Sequence, residues 1–482
     1  MRLRSLALGA AIVVAATVLT GCERGSTVVR VDSPQVLTGA QVPTLVGRTP
    51  SSVVGFAQVR RDGVPTWRQI PVQIDERKVV GFGSAPADNA AVGVPGTVYG
   101  SGTGNVTALQ YTDPNTWVGA DTDPLFDADD ELVFMTGDAG GQREPGGADP
   151  AGVVAGSGVR VELTDPLDPG ASGSVYLFRS NGSLVPSAGK DYVNYQFNLT
   201  SGNYRTTYRR NTGPNPETSR VTTANYEIAY TDRWIESSWR LASTTSTGVD
   251  VLDGVKNQFA VNSCVRSNVT FAGQEGAFVA NIDGPVRAIR SYVGANSGPL
   301  TQRTHLMYRS REVVVTDLRV HAIPGVMDFV DFSSAARGMT YQSESVPGGV
   351  PVDGALDTVP TTPAHWEAVS GDQGTVLMNV DYQSSINPPG GFETKIEWFQ
   401  RDQTTPPETQ CWGDGSFLGA AGPSIVGGIA NTDPSAGAFE TLKGIRTIHF
   451  AGAIDDPDVV GDLAADWSTQ IRTPLTATVT AG

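Results

Sequence analysis

The chain has 482 residues, with 34 Lys and Arg against 50 Asp and Glu, for a formal net charge of −16. An acidic balance of that size excludes a nucleic-acid-binding module, which needs a basic stripe to neutralise phosphates. With 39% hydrophobic residues, 56 Gly and 31 Pro, the composition also excludes a coiled coil, a collagen-like chain and a polytopic membrane protein, and it leaves apolar material for one large core or two.

The first residues read as an address. Arg2 and Arg4 form a positive n-region, and the apolar run from Leu6 to Leu19 is too short for the ~20 residues that span a bilayer. Leu19-Thr20-Gly21-Cys22 follows and resembles the lipobox of bacterial lipoproteins, in which small residues admit the peptidase and the cysteine thiol receives the diacylglycerol. The resemblance implies a signal peptide over 1–21, lipidation at Cys22, and a body held outside the cytoplasm on a membrane. Residues 22–44 read as a polar tether. Three cysteines less Cys22 leave Cys264 and Cys411. An even remainder in an oxidising compartment predicts one disulfide, two buried thiols being the alternative.

From there the pattern is β. Val53–Arg60 runs into Asp62-Gly63, a strong hairpin signal, and then into Trp67–Ile74, where Ile70, Val72 and Ile74 alternate with polar residues or proline. Similar runs recur from Val159–Leu163 to Thr394–Gln400, separated by Gly, Pro, Asn and Asp. Short strands with frequent turn residues predict an all-β, antiparallel β-sandwich, the supersandwich being one form of it, with few short helices. A Gly- and Pro-rich stretch over 137–158 divides the body into an N-terminal β-domain, 45–155, and a larger sandwich domain, 156–482; one continuous fold is the alternative. Near the end, Asp456 and Pro457 open an amphipathic helix carrying Val459, Leu463 and Trp467 on one face.

The densest acidic run is Asp121, Asp123, Asp127, Asp129, Asp130 and Glu131. Carboxylates so close repel one another unless they splay into solvent or share a hard cation, so the run is a candidate Ca²⁺ loop. It lacks the glycine and the closing glutamate of an EF-hand, and a solvated acidic turn with Asp129 or Asp130 bonding its own backbone competes with that reading. No GxSxG, HExxH, Walker A or strand-borne GxGxxG motif is present.

Alternation along three strands gives a second constellation. Arg290 and Tyr292 share a face, as do Arg303 and His305, and Asp317, Arg319 and His321; Tyr308 points the other way. Arginine to neutralise a uronate carboxylate, and tyrosine or histidine to exchange protons, is the equipment of a polysaccharide lyase. Arg290, His305, Tyr308 and His321 are therefore the candidate catalytic set, against the alternative of a sheet face of paired charges. Gly284-Pro285-Val286-Arg287-Ala288 resembles a segment of the β-supersandwich, galactose-mutarotase-like domains of carbohydrate-active proteins. That resemblance implies an extracellular glycan as partner. Loop residues Trp117 and Trp412 are candidates to stack on sugar rings, while Trp234, Trp239 and Trp398 read as core.

The expected function is a membrane-anchored extracytoplasmic lipoprotein that binds or processes glycan. Three alternatives stand beside it: a non-catalytic envelope or adhesion protein contacting protein partners, a polysaccharide lyase, and a hydrolase drawing a carboxylate pair from Asp75, Glu76, Asp232 and Glu236.

Overall fold

The Asp62-Gly63 turn joins strands Val53–Arg61 and Val64–Ile70 with Arg61 opposite Val64. Both turn residues take positive φ, 51° and 78°. This is the left-handed pair that a two-residue hairpin requires to match strand twist. The computed structural model describes residues 25–81, 107–200, 217–230, 236–258, 276–294, 301–319, 326–384, 396–401, 420–425 and 441–482. Within them the chain is all-β, built from antiparallel sheets.

Among the described residues the largest sheet has nine strands. Four neighbours within it are Ala288–Gly294, Thr301–Met307, Arg311–Arg319 and Thr441–Ala451. A four-stranded sheet from Val193–Gln196 to Glu236–Leu241 and another that includes Leu252–Gln258 and Val326–Phe332 share a core with it. Trp239, Tyr226 and Ile228 meet Ile448 and Phe450 there, and the Tyr226 and Phe450 rings lie 4.4 Å apart. This is the sandwich that alternating apolar strands build when one face of each sheet must leave water.

Two expected boundaries are corrected. The division near 155 does not separate two sheets, because Val53–Arg61 pairs with Asp168–Arg179, and the five-stranded sheet ends on the C-terminal strand Thr476–Ala481. Nor is the Gly-rich stretch a linker: Gly141 donates its N–H to Gln58 O at 2.8 Å. A Cβ on neighbouring Gly140 would sit 2.2 Å from that same oxygen. Glycine is used here for close backbone approach. The expected tether over 22–44 is, from residue 25 on, part of the body. Pro34–Thr38 pairs with Glu131–Met135, and Leu37 and Val42 are wholly buried.

The helix Pro457–Arg472 starts as predicted, with the Asp456 side chain accepting from Asp458 N at 3.0 Å. Its Val460 and Ala464 pack on Trp366, Ala368 and Leu377, on the outer face of the nine-stranded sheet. Asp456→Ala is expected to cost about 1 kcal/mol of stability in urea denaturation. No helix among the described residues is long and apolar enough to cross a membrane, a statement that does not bear on membrane-crossing strands.

Candidate functional site

Antiparallel register sets Arg290 opposite His305, and His305 opposite Val314. Arg290, Tyr292, Arg303 and His305 therefore share one face of the nine-stranded sheet, as the alternation predicts. That face is the inner one. Glu312, opposite Met307, joins it from the next strand.

Arg290 and Glu217 form a two-pronged ion pair, with Nη1 to Oε2 at 2.9 Å and Nη2 to Oε1 at 2.7 Å. Both side chains are 0% exposed. The guanidinium lies 3.9 Å from the centroid of the Tyr230 ring and 4.7 Å from that of Phe278, and Nη1 also donates to Tyr195 Oη at 3.2 Å. Burial alone would weaken the charged form, but Glu217 holds the Arg290 pKa well above its usual value.

His305 is the centre of a second buried cluster. Its Nδ1 lies 2.9 Å from Glu236 Oε1 and 2.7 Å from Glu312 Oε1, and its Nε2 lies 3.3 Å from Tyr292 Oη. Trp239 Nε1 donates to the other oxygen of Glu236 at 2.5 Å. Burial opposes a charged imidazole, yet Tyr292 and the two carboxylates push its pKa up to about 10. Glu312 is pushed up to about 8 by burial and by the neighbouring Glu236 charge. Glu236 moves down: burial works against it, but His305 outweighs that. At neutral pH the cluster is a charged His305, a charged Glu236 and a protonated Glu312, with no net charge. A buried group of ions can persist in that form.

The ligand atoms of Glu236, His305 and Glu312 lie within 4.8 Å of one another. One nitrogen and two carboxylate oxygens suit a borderline cation such as Zn²⁺ better than Ca²⁺, which takes six or more oxygens. Here the imidazole itself occupies the gap between the carboxylates.

Tyr308, also expected in this set, stands apart. It follows the end of strand Thr301–Met307, and Arg287 Nη1 donates to its hydroxyl at 3.3 Å. Arg287 also reaches Asp75 through Nε at 2.9 Å and Glu131 through Nη2 at 2.6 Å, tying the large sheet to the N-terminal strands. Asp75 and Glu236, two of the four carboxylates the hydrolase reading draws on, thus belong to different networks; Asp232 lies outside the described residues.

The acidic run does not gather round one point. Asp121 and Asp127 each accept a backbone N–H two residues on, at 3.0 and 3.1 Å. Asp130 accepts from Asp127 N at 2.9 Å and Arg77 N at 2.6 Å, and Glu131 is paired with both Arg77 and Arg287. Among the described residues the run contributes no group of three converging ligands. Two arginines distant in sequence form ion pairs with Glu131 alone of the run, among the described residues. Burial, offset in part by the two N–H donors, pushes Asp130 up to about 6.

Trp117 is not an open platform; it packs partly buried with Val80, Val118, Val279 and Val293. Cys22, Cys264, Cys411, His321 and Trp412 lie outside the described residues. Sequence reasoning missed Glu217 and Glu312 as partners. The signal for Glu312 was a carboxylate directly before three valines in one strand, which needs a counter-charge if buried.

No protein-family model matches the chain, and no curated protein matches it. Among solved structures, a candidate aldose 1-epimerase from Escherichia coli K12 is similar at 10% identity and a TM-score of 0.32, over 47% of this chain and 96% of that one. A protein from Synechocystis is similar at 8% identity and a TM-score of 0.30, over 51% and 99%.

Proposed function

We propose that the protein is an extracytoplasmic lipoprotein, anchored through Cys22, that binds extracellular glycan without turning it over. The observation that carries binding over turnover is the state of Arg290 and His305. They are 0% and 1% exposed, and each is held by side chains of the same chain. Acid–base chemistry needs such groups within reach of a substrate. Here they stabilise the interior. The lipoprotein reading is supported by the charged n-region and by Leu19-Thr20-Gly21-Cys22. The glycan reading is supported by the all-β sandwich together with the resemblance at 284–288.

Purified protein is expected to be retained by at least one member of a panel of immobilised bacterial and plant polysaccharides, without releasing shortened or unsaturated products. Product formation would overturn the non-catalytic reading, and absence of retention across the panel would overturn the glycan. In cells, Cys22→Ala should release the protein from the membrane or leave it unprocessed, with residues 1–21 still attached.

A further inference from the structure

The outer face of the nine-stranded sheet carries a second site. A cleft of about 360 Å³ lies between the segment 30–36, strand Arg311–Arg319 and the last turn of the helix Pro457–Arg472. Arg30, Gln35, Tyr308, Arg311, Thr447 and Gln470 line it.

Its three nearby arginines differ in one respect. Arg30 is engaged by Asp165 and by Thr473 O at 2.7 Å, and Arg309 by Asp32 at 2.9 Å. The Arg311 guanidinium has no hydrogen bond or ion pair among the described residues, and its Nε is buried without a partner. It has only the Tyr308 ring, 5.8 Å from its centre. Asp32, whose charge reaches it, is already paired. Burial accordingly pulls its pKa below the usual arginine value, although a guanidinium stays charged. Across the strand pair, burial and the Arg311 charge hold His449 neutral, so that histidine adds no second charge. Arg311 is only partly buried: it lines the cleft while its Nε is shut away from water, and an unmatched charge of this kind is expected at a functional site rather than at a purely structural one.

We propose that this cleft binds the carboxylate of a monosaccharide-sized sugar acid, with Arg311 as the anion-binding residue. The proposal rests on the glycan reading and deepens it. The volume is right for one sugar ring. Gln35, Thr447 and Gln470 offer hydroxyl partners, and the planar guanidinium matches a carboxylate in two-pronged fashion. No bond is made or broken.

The test is thermal unfolding of the full mature protein with millimolar D-glucuronate, D-glucose or inorganic phosphate. Glucuronate should raise Tm by several degrees, by mass action on the folded state, and glucose and phosphate by clearly less. Arg311→Met should abolish the glucuronate response while its own Tm without ligand equals or exceeds that of the unsubstituted protein, because a strained charge has been removed. Gln470→Glu, which sets a negative charge on the helix wall of the same cleft, should also abolish the response and keeps the test decisive should Arg311→Met not fold. The proposal is overturned if glucuronate leaves Tm unmoved, if phosphate matches it, or if either variant retains the response. Retention on neutral polysaccharides, measured separately, would persist if only this site were misassigned and would vanish if the glycan reading itself failed.

Discussion

Replacing Arg287 by alanine is expected to lower the unfolding free energy by about 3–5 kcal/mol, enough to unfold a marginal protein. The guanidinium and its partner Asp75 are each 1% exposed, and Glu131 is 15% exposed. Without Arg287, Asp75 would keep only the Gln73 amide at 2.8 Å. Burial already pushes Asp75 up against the opposing pull of Arg287, so the variant would have to protonate it or leave a bare buried charge. Glu131 would keep Arg77 at 2.7 Å and suffer less. The double variant Arg287→Met, Asp75→Asn removes both members of the pair and should recover most of the loss. An exposed pair gives the contrast: Arg60 and Glu144 are 56% and 44% exposed, and Arg60→Ala should shift stability by no more than about 0.5 kcal/mol. Urea denaturation of the four proteins decides the matter. A loss below about 1 kcal/mol for Arg287→Ala would mean that the cluster does not hold the N-terminal strands to the large sheet.

How much of this was legible in the sequence depends on range. Period-two alternation is local, so it put Arg290 with Tyr292 and Arg303 with His305 correctly, and the strand register then set the two pairs on one face. Alternation also turned Tyr308 away from them, and Tyr308 does stand apart, with Arg287; what did not hold was gathering Tyr308 into one set with Arg290 and His305. The charge partners came from elsewhere: Glu236 from the opposing sheet, Glu217 from the segment just before one of its strands, Asp75 from a strand more than two hundred residues from Arg287. Nothing local in a sequence announces such convergence. The acidic run shows the same limit from the other side, since its density was visible but the pairing of Glu131 with Arg77 and Arg287 was not. The segment 25–44 misled through composition, its Ser, Thr, Gly and Pro outweighing the buried Leu37 and Val42. Asp62-Gly63 and Asp456-Pro457 were read correctly because turn and cap chemistry is settled within a few residues.

The second large effect is on pH. Glu312 keeps its proton in the folded chain up to about pH 8, whereas the unfolded chain releases it near 4.5. His305 stays charged up to about pH 10, against 6.5 unfolded. In both cases the folded state holds a proton that the unfolded state has lost. Stability is then fully present below the unfolded value and falls as pH rises through the folded one, by about 1.4 kcal/mol per pH unit for each such proton. The windows overlap between 6.5 and 8, where the two effects add. Glu236 has the opposite sign: its pKa is lowered, so its contribution is lost on acidification. The protein should therefore be most stable at mildly acidic pH and weaken towards alkaline pH. Asp75, Glu76 and Asp130 are also raised and add to the early part of that decline, so the unsubstituted protein alone does not isolate the cluster. Glu312→Gln does. Glutamine keeps the shape of a protonated glutamate and its contact with His305 but has no proton to lose, so the slope between about pH 5 and 8 should become shallower by about 1.4 kcal/mol per unit. His305→Gln should instead cost about 3–5 kcal/mol near neutrality, because the charged Glu236 would lose its counter-ion. Parallel pH profiles for Glu312→Gln and the unsubstituted protein would show that Glu312 is ionised in the fold and that the neutral, proton-sharing description of the cluster is wrong.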